Sequence, residues 1–170
     1  MRTPRTGPIT VALVVITLVV GGLAVTAPVD RALVVSDADT GEPLLTVPVE
    51  GGTTVDLEYT HSVEKTPVRD SYEVRGAELD NVRMEFSSYG AGLPANQEVR
   101  RDDGSFVFDP DRTYGRLVVS PGSVAGHELV VDEHRYDLVA LADGEAVVLT
   151  VERRTAAELA EQRIRSDVDS

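Results

Sequence analysis

After residue 27 the chain alternates short apolar, β-branched runs with clusters of Gly, Pro, Asp and Asn. Apolar residues recur at every second position, or fill short uninterrupted runs, which is typical of β-strands rather than helices. Turn residues return about every ten positions, as in sandwiches and barrels. We therefore predict an all-β fold, an antiparallel β-sandwich or partly closed barrel of about 8–10 strands. The predicted strands are residues 32–36, 43–49, 53–63, 68–75, 79–88, 105–108, 116–120, 127–132, 135–142 and 145–152.

The clearest hairpin signal lies near the end of this pattern. Residues 135–142 and 145–152 flank an Asp143-Gly144 pair, which favours the positive φ angles of a type I′ turn. Both segments contain runs that are apolar at every position, so we expect a central hairpin covered on both faces. Further on, Thr155 and Glu158 form a capping-box pattern, which predicts a short C-terminal helix and an acidic tail over residues 155–170.

An uncharged apolar segment precedes the β pattern. Residues 9–27 form a run of 19 residues without a charge, and a helix of that length nearly spans the ~30 Å core of a bilayer. Arg2 and Arg5 lie before it, so the positive-inside rule places residues 1–8 in the cytoplasm. We expect a transmembrane anchor that carries an extracytoplasmic β-domain of residues 28–154.

A cleaved signal peptide is the alternative for the same segment, because residues 25–27 are of the small type that a signal peptidase accepts. The apolar run is longer than the ~7–15 residues of a signal-peptide core, which favours a retained anchor. Either interpretation puts the domain outside the cytoplasm. With the anchor retained, the protein is expected in the plasma membrane as a single-pass protein with its N-terminus in the cytoplasm.

Composition excludes several kinds of site. The 170 residues include no cysteine and three histidines, which excludes disulfides, Fe–S clusters, thiol nucleophiles and a His-rich metal centre. We therefore expect no metal and no cofactor. The formal net charge of -13 leaves no basic surface for nucleic acid. Lys65 is the only lysine, and the dispersed acidic residues favour a halophilic protein; the arginine codons of a high-GC genome are the alternative explanation.

Two motifs carry a resemblance to a known family. Residues 59–68 are Tyr-Thr-His-Ser-Val-Glu-Lys-Thr-Pro-Val, with Asp70 and Tyr72 following, and residues 88–94 are Ser-Tyr-Gly-Ala-Gly-Leu-Pro. Over about residues 31–120 the chain resembles the domain-of-unknown-function 1850 family of small prokaryotic proteins. That resemblance implies an association with the permease of TAXI-type tripartite ATP-independent periplasmic (TRAP) transporters, and it implies no reaction. Arg69 departs from the family, in which many members are more acidic at this position.

Strand parity predicts a polar pair within the first motif. If residues 64–67 connect the two strands, His61 lies opposite Asp70 on the core-facing side. Opposed Cβ atoms are ~4.5–5.5 Å apart, which permits an imidazole–carboxylate hydrogen bond. Such a pair on an apolar face must be hydrogen-bonded to be tolerated. The same register pairs Val63 with Val68, Tyr59 with Tyr72 and Leu57 with Val74.

The polar pair has two interpretations, which stay open here. It either fixes the hairpin register as a structural pair, or forms the floor of a cleft under the loop of residues 89–94, whose glycines permit close backbone approach. Ser62 points away from His61 and no Gly-x-Ser-x-Gly motif occurs, so we predict no catalytic site. The candidate residues for ligand or partner binding are His61, Ser62, Asp70, Tyr59, Tyr72, Gly90, Gly92, Leu93 and Pro94.

Topology and resemblance together favour a membrane-anchored, extracytoplasmic accessory protein. Its expected partner is a TRAP-TAXI permease or the solute-binding protein of that transporter. The alternative is a small-ligand binding module for organic acids, and a hydrolase is the least expected function.

Overall fold

The computed structural model describes residues 28–88, 98–102 and 104–155, with side chains from residue 31 to residue 154. These residues contain twelve strands and one short helix. The strands and the helix are β1 (Pro28–Asp37), β2 (Pro43–Val49), β3 (Thr54–Thr60), β4 (Pro67–Arg75), β5 (Glu78–Phe86), β6 (Arg100–Asp102), β7 (Ser105–Phe108), β8 (Arg112–Tyr114), β9 (Leu117–Val119), β10 (Glu128–Val131), β11 (His134–Asp137), α1 (Leu138–Leu141) and β12 (Val147–Thr155).

Both terminal predictions concern residues that lie outside the described ranges. The proposed anchor, residues 9–27, is one of them, and residues 156–170 of the predicted C-terminal helix are the other. Thr155, the predicted N-cap of that helix, is the last residue of β12. Within the described part of the chain, no helix is both long and apolar enough to cross a membrane.

Residues Asp30–Arg153 form a compact unit built from two sheets. The smaller sheet has the order β2-β1-β12-β9, and the larger has the order β11-β10-β3-β4-β5-β7-β6, with β8 also paired to β5. Strand pairing is antiparallel throughout the larger sheet, and neither sheet closes into a barrel within the described residues. This confirms an antiparallel, mostly β fold.

The strand count exceeds the predicted 8–10 because of β6 and β8. Each of these strands has only three residues, with the sequences Arg-Arg-Asp and Arg-Thr-Tyr. Neither sequence has the apolar alternation by which a strand is recognised. β6 forms by pairing with the next strand along the chain, β7, whereas β8 pairs with β5, which is distant in sequence.

One hydrophobic core joins residues of the two sheets. Leu33 of β1 and Leu149 of β12 belong to the same buried cluster as Val55 of β3 and Leu129 of β10. Along β3, burial alternates between Val55 and Leu57 and their more exposed neighbours, which is the period of a strand with one buried face. A second, smaller cluster lies on β4, β5 and β7 and consists of Val68, Phe86 and Phe108.

The predicted hairpin of residues 135–142 and 145–152 is wrong. β11 pairs with β10 instead, so the hairpin turn lies at Asp132, which has a φ of 53°. The chain then forms α1 and enters β12 of the other sheet. Leu138 is fully buried in the common core, which explains the apolar run without a strand.

Capping residues explain why a helix forms at this point. The Asp137 carboxylate accepts hydrogen bonds from the backbone N–H groups of Val139 and Ala140, at 2.9 and 3.1 Å. Asp143 and Gly144 have the predicted positive φ angles, 51° and 82°, but they follow the helix instead of closing a hairpin. The Gly144 N–H donates to the Val139 carbonyl at 3.0 Å, which satisfies a carbonyl of the last turn.

The predicted register of β3 and β4 is wrong by four residues. Asp70 lies opposite Leu57, not His61, and Tyr72 lies opposite Val55. The connection is longer than expected, because the His61 N–H donates to the Thr66 carbonyl at 2.8 Å, beyond the end of β3. A shift by an even number of residues preserves strand parity, so Asp70 still faces the core.

Candidate functional site

Asp70 is a buried carboxyl on the core-facing side of β4. Only 8% of the residue is exposed, and it lies between Leu57 of β3 and Met84 of β5. The Tyr59 hydroxyl donates to its Oδ2 atom at 3.3 Å. Burial raises the pKa of Asp70 to about 6, while hydrogen bonds from Tyr59 and Asn81 act in the opposite direction.

Tyr59 connects this buried group to the surface. Its ring stacks on that of His127, with centroids 5.0 Å apart and an interplanar angle of 17°. Burial and the neighbouring Asp70 charge raise the pKa of Tyr59, so its hydroxyl remains a donor. Burial also lowers the pKa of His127, whose Nδ1 accepts the Gly122 N–H at 3.3 Å. A neutral imidazole is therefore the form that stacks on Tyr59.

The predicted site residues fall into separate places. His61 is half-buried beyond the end of β3, and its Nδ1 accepts the backbone N–H of Glu64 at 3.2 Å. Ser62 is exposed in the same connection. Tyr72 is buried in the main core, with its ring edge-on to Tyr114 at 6.0 Å. The predicted His61–Asp70 pair is thus replaced by a Tyr59–Asp70 pair.

The second motif, apart from its first residue Ser88, lies outside the described residues. Gly90, Gly92, Leu93 and Pro94 belong to residues 89–97, between β5 and β6. A meeting of the two motifs in one cleft therefore stays a prediction.

A groove of about 370 Å³ lies on the opposite face of the larger sheet, where β3 ends and β4 begins. Its charged lining residues are Glu58, Arg69, Glu85 and Glu128. Its small lining residues include Thr60, Ser87, Ser105 and Gly126. Tyr59 is also a lining residue of the groove, whereas Asp70 is not.

Ion pairs organise the charged side of the groove. Glu128, Glu58, Arg69 and Glu85 are directly opposed across four neighbouring strands. Arg69 contacts Glu58 at 2.6 Å, and Arg135 contacts both Glu58 and Glu128 at 2.7 Å. The two arginines hold the pKa of Glu58 below its usual range, with the hydrogen bond from Arg135 as the largest cause.

Sequence reasoning missed the groove, because its residues have the pattern of an ordinary solvent-facing side of strands. One signal was visible: Arg69, the departure from the family motif, lies at its centre. Within the described ranges, no group of three or more His, Asp or Glu side chains is placed to hold a metal ion.

A second cavity, of about 400 Å³, lies around β8 and the start of β5. Arg75 and Asp80 form an ion pair of 3.3 Å at its edge, and the Thr113 hydroxyl donates to Asp80 at 2.7 Å. Arg112 also lines this cavity. Because it shares no lining residue with the groove, it supplies positions for control variants.

Comparison with known families identifies the part of the fold that carries these features. Residues 55–138 match the family described as Domain of unknown function (DUF1850). The chain contains a DUF1850 segment. The DUF1850 segment contains nearly the whole larger sheet, from the second residue of β3 through β11, and with it the buried pair and the groove. The chain has no match among curated proteins and none among solved structures.

Proposed function

We propose that the protein is a membrane-anchored, extracytoplasmic accessory protein of a TRAP-TAXI solute transporter. The observation that carries this proposal is the groove, a concave and charged surface built from the DUF1850 segment itself. The apolar residues 9–27 supply the anchor, and the sequence resemblance supplies the kind of transporter.

The groove is suited to recognising a folded partner in one orientation. Its row of charges crosses four strands, a distance of about 14 Å at the ~4.8 Å spacing of neighbouring strands. Charges arranged in a fixed order contribute mainly to specificity and register in an interface. We therefore assign the contact with the permease, or with its solute-binding protein, to this face.

The test is affinity purification of the tagged full chain from native membranes. The salt concentration is kept high enough to screen the repulsion among the charges of a protein with a net charge of -13. We expect a TRAP-TAXI component to copurify with the wild type. Arg69→Glu should reduce that recovery several-fold, because it places a third like charge between Glu58 and Glu85.

The matched control is Arg112→Glu, which makes the same change at the second cavity and should leave recovery unchanged. The proposal fails if no transporter component copurifies with the wild type. The assignment to the groove fails if both variants behave alike.

A second candidate function is the binding of a small organic acid. The observation that favours it is the groove volume of about 370 Å³, which lies within the ~300–1,000 Å³ typical of ligand pockets. A ligand at 100 times its Kd stabilises the native state by ~2.7 kcal/mol. A thermal-shift screen of the full chain against organic acids therefore tests it, and the absence of any shift contradicts it.

A further inference from the structure

Arg69 lies between two carboxylates, and it uses only one of them. It is directly opposed to Glu58 on β3 and to Glu85 on β5. Its Nε and Nη2 atoms both bind Glu58, at 2.8 and 2.6 Å. Glu85 is paired instead with Arg83 on its own strand, at the longer distance of 3.4 Å. Glu85 is therefore the more weakly held carboxylate beside Arg69.

Glu58 has a second cation that permits Arg69 to change partners. Arg135 binds the other carboxylate oxygen of Glu58 at 2.7 Å. Removing one partner of an ion pair normally leaves an uncompensated charge, but here Glu58 stays paired with Arg135 if Arg69 turns away. The Arg69 side chain is 49% exposed, so an incoming carboxylate can reach it from the groove.

The charges around Arg69 restrict the class of ligand. A ligand with a carboxylate alone would bring another negative charge beside Glu85. A ligand with an ammonium alone would be repelled by the positive charge of Arg69. A ligand that carries both charges close together satisfies both side chains, since Cβ atoms of directly opposed residues are ~4.5–5.5 Å apart. Ser87 and Ser105 line the adjoining wall.

We propose that the groove binds a small zwitterion of the α-amino acid type, with its carboxylate on Arg69 and its ammonium on Glu85. The ammonium group has three N–H donors and no acceptor, which suits a carboxylate that is only weakly engaged. The inference rests on the small-ligand function proposed above and adds the ligand class and the two residues that select it.

The test uses the purified full chain and begins with an equimolar pool of the twenty standard amino acids as the probe in a thermal-shift assay. The member that binds is then compared by calorimetry with its deamino analogue and its decarboxylated analogue. We expect both analogues to bind at least about tenfold more weakly, since each loses one charge-assisted hydrogen bond.

Variants locate the binding site. Arg69→Gln should abolish the shift caused by the amino acid. Glu85→Gln should weaken amino-acid binding by about tenfold or more. In this variant the amino acid and its deamino analogue should bind with similar affinities. Glu133→Gln, an exposed carboxylate in the β10–β11 turn, is the control and should change neither affinity.

The outcomes separate the inference from the function on which it rests. If neither the amino-acid pool nor the organic acids bind, the small-ligand function itself is wrong. If organic acids bind as well as amino acids or better, that function stands and the zwitterion inference is overturned. Amino-acid binding that is unchanged in Arg69→Gln and Glu85→Gln also overturns it, because the site is then elsewhere.

Discussion

Asp70 is a carboxyl group placed between two hydrophobic clusters. Two positions after it along β4, Tyr72 belongs to the main core. Two positions before it, Val68 belongs to the smaller cluster. A buried carboxyl is tolerated when it is hydrogen-bonded or protonated. Tyr59 provides the hydrogen bond, and the raised pKa of Asp70 makes protonation accessible at mildly acidic pH.

The titration of Asp70 predicts a pH-dependent stability. Its pKa rises on folding from an ordinary 3.8 to about 6, so the folded state binds the proton more tightly. This contribution is present at low pH and is lost as pH rises through about 6, with a total of about 3 kcal/mol for a shift of this size. Denaturant unfolding should show that wild type loses stability relative to Asp70→Asn between pH 4 and pH 7.

The control for this prediction is Asp132→Asn, in an exposed turn where asparagine tolerates the positive φ of 53°. It should follow wild type within about 0.5 kcal/mol at every pH. A stability difference between wild type and Asp70→Asn that does not change with pH would contradict the account of Asp70.

Tyr59→Phe tests the hydrogen bond to Asp70 directly. Removing the hydroxyl leaves the carboxylate with one donor fewer, at an expected cost of about 1–3 kcal/mol above pH 6, where Asp70 is ionised. Below pH 5 the neutral carboxyl needs the donor less, so the cost should shrink. Unfolding free energies at pH 8 and pH 4.5 check this, with Tyr136→Phe, a half-buried tyrosine of the same core, as the control.

Strand parity could predict the face of Asp70 but not its partner. The alternation of apolar residues placed Tyr59 and Asp70 on the core-facing side, where the structure has them. The identity of the opposed residue depends on the length of the connection. That length was set by the backbone hydrogen bond between His61 and Thr66, which no periodicity reveals.

At the scale of elements, α1 shows how an apolar run can mislead. Residues 138–141 are apolar at every position, a pattern that suits a buried strand and a buried helix equally. The local signals that decide between them were present, with Asp137 as an N-cap and Gly144 after the last turn. The sequence predicts a turn with two positive φ angles at Asp143-Gly144, and the structure confirms both angles. The segment before this turn, however, is a helix and not a strand.

Asp137→Ala tests the capping of α1. Loss of the two hydrogen bonds to Val139 and Ala140 should destabilise the protein by about 1 kcal/mol. Asp137→Asn retains an acceptor at the same place and should keep most of that stability. Equilibrium unfolding measures both, and an alanine variant as stable as the asparagine variant would contradict the role of the cap.

At the scale of the whole molecule, the family segment and the folding unit differ in extent. Most of the larger sheet lies within residues 55–138, whereas β1, β2 and β12 of the smaller sheet lie outside them. The main core nevertheless contains residues of both sheets. The DUF1850 segment therefore depends on flanking strands to cover its apolar face.

This common core predicts a single cooperative unfolding transition for residues 30–153. Leu33→Ala in the smaller sheet and Leu129→Ala in the larger should each cost about 2–5 kcal/mol and shift the whole transition, since both side chains are fully buried. Val118→Ala, at a residue that is 54% exposed, is the control and should change stability by less than about 0.5 kcal/mol. Two separate transitions, with Leu33→Ala affecting only one, would contradict a common core.

The fold class was predictable, but the assignment of each strand to one of the two sheets was not. Period-2 alternation and turn residues are local signals, and they located nine of the strands within a few residues, whereas the predicted strand 135–142 overlaps β11 only at residues 135–137. Pairing between strands far apart in sequence, such as β3 with β10 and β1 with β12, depends on which apolar faces meet in the core. The groove depends on that pairing as well, since its lining residues come from five strands and two loops.

The most direct test of the proposed function is site-specific photo-crosslinking in native membranes, with the crosslinker at position 87 in the groove or at position 113 in the second cavity. We predict that position 87 captures a permease or solute-binding protein of a TRAP-TAXI transporter, identified by mass spectrometry, and that position 113 does not. Absence of any transporter component from the position 87 products, or equal capture from both positions, would contradict the groove as the functional surface.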